Sequence, residues 1–145
     1  MNNVSMARSY IKQAYERLKH AKEAFESRNY PYVVRQCQEA VELLFKASLR
    51  LVGVEPPKWR DVGPVLRREA HRFPHWFQEL IPRYARISRK LRREREPSMY
   101  GDEESGTPPE ELYDAEDSKE ALSWAIEVLE SVVKLFKELT SQEPL

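Results

Sequence analysis

The chain is 145 residues long, 33% charged and 41% apolar, with only four glycines, a profile that suits long amphipathic helices around one core better than sheets or disorder. No apolar run approaches the roughly 18 residues of a membrane span, and the single cysteine excludes an intrachain disulfide or a thiolate zinc cluster. The formal charge is zero, but residues 1–100 hold 21 Lys and Arg against 11 Asp and Glu, whereas residues 101–145 hold 3 against 13.

Such a split fits a polyanion-binding surface balanced by an acidic element, or two segments that attract each other within the fold. The opening MNNVSMARSYIKQ lacks the apolar stretch of a signal peptide. A cytoplasmic protein, one domain over 1–145 with its core in about 5–140, is expected.

The first helix is predicted from about Ser5, as N-cap, to Ser27. Ala7, Ile11, Ala14, Leu18, Ala21 and Phe25 recur at helical spacing, with Arg8, Lys12, Glu16 and Lys19 opposite. Asn29-Tyr30-Pro31 then breaks the chain, and Pro31 suits the first turn of a second helix over 31–52. Val34, Cys37, Val41, Leu44, Ser48 and Leu51 form its stripe, widened by Val33, Ala40 and Phe45, so it is expected to be central. On that face Cys37 reads as a buried, inert thiol. Gly53 stands where a C-cap glycine belongs, and the first two helices are expected to form an antiparallel hairpin.

Residues 54–60 (VEPPKWR) read as a loop, followed by a short helix capped by Asp61 and running to about Arg72. Pro74 separates it from a helix over about His75 to Arg95, with a bend expected at Pro82. Residues 97–113, with three Pro, two Gly and five acidic side chains, read as one irregular acidic loop. A final helix is predicted from about Asp114 to Leu139 with acidic residues at its positive end. Its apolar arc is wide (Ala121, Leu122, Ala125, Val128, Leu129, Val132, Val133, Leu135, Phe136, Leu139), as for a central helix or one that also faces a second subunit.

Chemistry concentrates in residues 81–104. Seven Lys or Arg and one acid lie between 83 and 95. Arg86, Arg89, Lys90 and Arg93 share one helical face, and Ile81, Tyr84, Ile87, Ser88 and Leu91 the other. The basic stripe is either a solvated surface or a contact with phosphates. Arg95, four residues after Leu91, continues the inward face, where a charge needs a partner; it is either in a structural ion pair or aimed into a site beside Tyr100. His20, His71 and His75 are too scattered for zinc, and no Gly-rich phosphate loop or nucleophile elbow is present. No metal or cofactor is expected. Trp59, Trp76 and Trp124 read as packing anchors.

Residues 35–66, RQCQEAVELLFKASLRLVGVEPPKWRDVGPVL, together with RREREPSMYGDE (92–103) and YDAEDSKEALSWAIEVLESVVK (113–134), resemble in order and spacing the HEPN (higher eukaryotes and prokaryotes nucleotide-binding) family. The resemblance covers roughly residues 5–140. It implies an all-α, up-and-down bundle of four long helices with a short additional one, and a homodimer. Active relatives are metal-independent ribonucleases with an Arg-x(4–6)-His motif at the end of the fourth helix. Many are toxins partnered by a small nucleotidyltransferase; others bind RNA or a nucleotide without catalysis.

In this chain Arg95 is followed by Tyr100, with Arg93 at a longer gap, and no His lies between residues 76 and 145. Metal-free RNA cleavage must move a proton from the 2′-hydroxyl and another to the leaving oxygen. Histidine suits both roles; a phenol, with an ordinary pKa of about 10, is a poor base. The resemblance therefore implies a nucleotide- or RNA-binding module using Arg93, Arg95 and Tyr100, with Arg86 and Arg89 beside them, acting with a nucleotidyltransferase in a toxin–antitoxin-like system. The alternatives are a ribonuclease toxin with an altered Arg-x4-Tyr motif and a non-catalytic structural or interaction protein.

Overall fold

The computed structural model describes residues 2–145. Four long helices carry the fold: α1 (Asn3–Glu26), α2 (Tyr30–Leu51), α4 (His75–Arg93) and α7 (Ala115–Thr140). Three short ones fill the connections: α3 (Gly63–Arg68), α5 (Pro97–Tyr100) and α6 (Pro109–Leu112). Among the described residues no strand forms, and no helix is long and apolar enough to cross a membrane. The long helices begin and end within two residues of their predicted limits.

The helix ends follow side-chain chemistry. Asn2, not Ser5, caps α1, its Oδ1 accepting the Ser5 N–H at 2.9 Å. Ser5 lies inside the first turn instead. At the other end the Arg28 N–H reaches Phe25 O at 3.1 Å and the Asn29 N–H reaches Ala24 O at 2.9 Å, closing the helix with Arg28 at φ 62°. The same paired closure ends α2, where Gly53 holds the left-handed position at φ 81°. A capping box of Asp114 and Asp117 opens α7. Asp61 accepts the Gly63 N–H at 3.0 Å and the Ser88 hydroxyl at 2.6 Å, so it both starts α3 and ties it to α4.

Helix α2 is central, packing against α1, α4 and α7, and the α1–α2 hairpin is the most extensive contact in the fold. An aromatic string binds α4 to it. Phe73 and Phe77 stack at 4.7 Å, Phe77 meets Tyr84 at 5.9 Å, and Tyr84 meets Phe45 of α2 at 5.6 Å. Tyr84 also hydrogen-bonds Ser131 of α7. Each fully buried ring or branched aliphatic side chain contributes roughly 1.5–3 kcal/mol. Ile81, Tyr84, Ile87, Ser88 and Leu91 form the buried face of α4 as predicted, and α4 runs through Pro82 as one helix. Helix α7 packs on α1, α2 and α4 and buries Ala121, Ala125, Val128, Val132, Leu135 and Phe136 of its apolar arc, while Leu122, Leu129 and Val133 are half-buried and Leu139 is exposed.

Two further expectations change. The helix predicted over 61–72 is the six-residue α3 followed by a 3-10 turn at Ala70–Arg72. Residues 97–113 are not one irregular loop: Pro97 and Pro109 each sit in the first turn of a short helix, and Asp102 and Thr107 exchange hydrogen bonds at 2.8 and 3.0 Å. A proline has no N–H to lose in a first helical turn.

Candidate nucleic-acid interface

Helix α4 stops at Arg93, and the chain turns through Glu94, Arg95 and Glu96 into α5. The Ser98 N–H bonds Glu94 O at 3.0 Å and the Tyr100 N–H bonds Glu96 O at 2.8 Å, fixing the turn. Gly101 then reverses the chain at φ 75°. A β-carbon there would lie 2.2 Å from Thr107 O, so only glycine fits.

This geometry opens a groove of about 710 Å³ between the end of α4, helix α5 and the 54–60 loop. Arg92, Arg93 and Arg95 line it from α4 and the turn after it, Arg35 from α2, and Trp59 and Tyr100 from the two flanking segments. Trp59 is 87% exposed and Tyr100 61%. Trp59 is therefore not the packing anchor its residue type suggests. Trp76 and Trp124 do pack against the core, Trp76 also donating to Glu138 at 3.1 Å.

Arg35, Arg92 and Arg95 are held by carboxylates set back on α2. Glu42 accepts Arg92 Nη1 at 3.2 Å, lies 3.8 Å from Arg95 Nη1 and 3.5 Å from Lys46 Nζ. One carboxylate thus answers three cations. Arg95 is 42% exposed and combines both roles open to it in the sequence, ion-paired through one nitrogen while its side chain lines the groove. Arg92 also donates to Trp59 O at 3.2 Å, which places the exposed indole. Arg35 donates to Glu39 at 2.8 Å and to the Arg95 carbonyl, tying α2 to the turn after α4. Half-burial raises the pKa of Glu39, but hydrogen bonds from Arg17 and Arg35 outweigh it and hold the carboxyl below the usual range.

The sequence-predicted residues divide. Arg93, Arg95 and Tyr100 meet in the groove, whereas Arg86 and Arg89 stand exposed two turns and one turn earlier on α4 and do not line it. Arg35, Arg92 and Trp59 were missed as site residues. Trp59 sits between Lys58 and Arg60 in a polar loop, a context in which an indole has little core to join. Among the described residues no group of three or more His, Cys, Asp or Glu is placed to hold a metal. Burial pushes the Cys37 thiol up to about 12, leaving it without nucleophilic character at neutral pH.

Four guanidinium groups in one open groove offer forked donors to phosphate oxygens, and two exposed aromatic rings offer faces for bases to stack on. A family model of the HEPN domain matches residues 7–139. No curated protein and no solved structure matches the chain significantly.

Proposed function

The chain belongs to the HEPN family, and we propose on that footing that its basic groove binds single-stranded RNA or a nucleotide, with Arg93 and Arg95 on phosphates and Tyr100 beside them. The observation that carries this reading is the convergence of Arg35, Arg92, Arg93 and Arg95 with the exposed Trp59 and Tyr100. Single-strand binders combine such a cationic track with stacking rings worth roughly 1–3 kcal/mol per base. The exposed Arg86 and Arg89, on the face that leads to Arg93, extend the track for a longer strand.

Binding without cleavage is the preferred form of this reading. The groove is lined by no histidine, and a phenol and a guanidinium cannot readily carry the two proton transfers of metal-free RNA cleavage. Arg95 and Tyr100 share the groove, and this favours one second reading, a ribonuclease with an Arg-x4-Tyr motif. In both readings the protein is a cytoplasmic homodimer acting with a small nucleotidyltransferase, as in toxin–antitoxin pairs.

The test is binding of a labelled uridine-rich hexanucleotide with Trp59→Ala, Tyr100→Ala and the unaltered protein, alongside a cleavage assay on the same RNA. Each substitution is expected to weaken binding about 5- to 100-fold with the RNA left intact. Cleavage that disappears in Arg95→Ala would establish the ribonuclease instead, and undiminished binding in both aromatic variants would remove the groove from consideration. Co-expression with a small nucleotidyltransferase, followed by light scattering of the purified material, tests the partner and the dimer.

A further inference from the structure

A second cavity adjoins the groove across Arg93. It encloses about 270 Å³ between the last turns of α4, the Leu112–Tyr113 segment and the first turns of α7. Its floor is apolar, made by the buried Val34, Leu91 and Ala121. Trp124 stands at its rim with Lys90 Nζ 5.7 Å from the ring centroid. Three carboxylates also face it, Glu94, Asp117 and Glu120. Two of these are engaged: Glu94 accepts the Tyr113 hydroxyl at 2.6 Å, and Asp117 accepts the Asp114 N–H at 3.0 Å. Among the described residues nothing pairs with Glu120.

The two cavities differ in the ligand chemistry they favour. The groove is dominated by guanidinium donors, whereas the second cavity sets three acceptor-only carboxylates, beside Lys90 and Arg93, over an apolar floor. A nucleotide has the same polarity, with an anionic phosphate at one end and a planar base bearing N–H donors at the other. Arg93 lines both spaces, so a phosphate held in the groove leaves its base within reach of the second cavity. Among the bases, guanine presents N1–H and N2–H side by side, which matches the two oxygens of a carboxylate. Uracil presents one N–H between two carbonyl oxygens, which a carboxylate repels.

We propose that the cavity bounded by Trp124, Tyr113 and Glu120 is a guanine-selective subsite, with the Glu120 carboxylate accepting from the base edge while the phosphate lies on the groove arginines. This inference rests on the RNA-binding reading of the groove. Glu120 is exposed and outside the core, so Glu120→Gln preserves the fold while replacing one acceptor oxygen by a donor.

The test measures anisotropy of the labelled tetranucleotides UUGU, UUIU (inosine, without the exocyclic amine) and UUUU with the unaltered protein, Glu120→Gln and Arg95→Ala. UUGU is expected to bind about tenfold more tightly than UUIU or UUUU, and Glu120→Gln is expected to abolish that preference, weakening UUGU while raising UUUU affinity slightly through the lost negative charge. Equal affinity for all three in the unaltered protein, with binding still lost in Arg95→Ala, overturns the subsite and leaves the groove standing. A guanine preference that survives Glu120→Gln also overturns it. Failure of every oligonucleotide to bind overturns the groove reading, and the subsite with it.

Discussion

Replacing Glu42 by Gln should move stability and RNA affinity in opposite directions. Glu42 faces Arg92, Lys46 and Arg95 at 3.2, 3.5 and 3.8 Å and is 22% exposed. A fully screened surface pair contributes about 0.2–1 kcal/mol, so the three contacts together contribute about 1–2 kcal/mol after that discount. For a chain of this size the loss lowers Tm by about 3–7 °C, measurable by differential scanning calorimetry. The same carboxylate also offsets the field that a bound phosphate would meet. At a separation of about 7 Å and the dielectric of water the repulsion is about 0.6 kcal/mol, so its removal should tighten RNA binding about threefold in an anisotropy titration. A Glu42→Gln protein that binds RNA more weakly would refute this reasoning, because it would mean that Glu42 aligns the arginines more than it neutralises them.

Arg28 occupies a left-handed position at φ 62°, so Arg28→Gly should stabilise the protein by about 0.5–1 kcal/mol, seen as a Tm rise of about 2–4 °C. Glu39 has a folded pKa below its unfolded one, so its stabilising effect is complete above pH 4.5 and fades as pH falls through the folded value. Urea unfolding of Glu39→Gln should therefore show lower stability than the parent at pH 7 and a shallower decline below pH 4.5. Cys37 should resist thiol-reactive dyes at pH 8 in the folded protein and react fully in denaturant, as its burial and raised pKa require.

The long helices were legible because their apolar residues repeat at a period set by the backbone itself, and the acidic residues from Asp114 marked the positive end of α7. Residues 97–113 were misread for a chemical reason. Prolines and glycines read as breakers, but Pro97 and Pro109 open helical turns, while Gly101 and Gly106 do turn the chain at φ 75° and 70°. Arg95 was placed on an inward face by extending the α4 period past Arg93, where the helix ends. The turn swings its side chain to the groove wall instead. Arg35, Arg92 and Trp59 come from three segments far apart in sequence, and their convergence is a property of tertiary packing that no local pattern encodes. Trp59 shows the same limit from the other side, since a residue type that is usually buried is here held out in solvent by a loop.

The salt dependence of RNA binding tests the groove most directly. Four arginines line it, and Glu39 and Glu42 together offset about two of them, so about two phosphate contacts are expected. At about 0.7 counterions released per contact to a single strand, log K against log [NaCl] should have a slope of about −1.4 between 50 and 200 mM for a uridine-rich hexanucleotide. Arg95→Ala should make that slope shallower by about 0.7 and weaken binding at every salt concentration. A slope near zero in the unaltered protein, or one that Arg95→Ala leaves unchanged, would contradict the assignment of this groove as the RNA-binding surface.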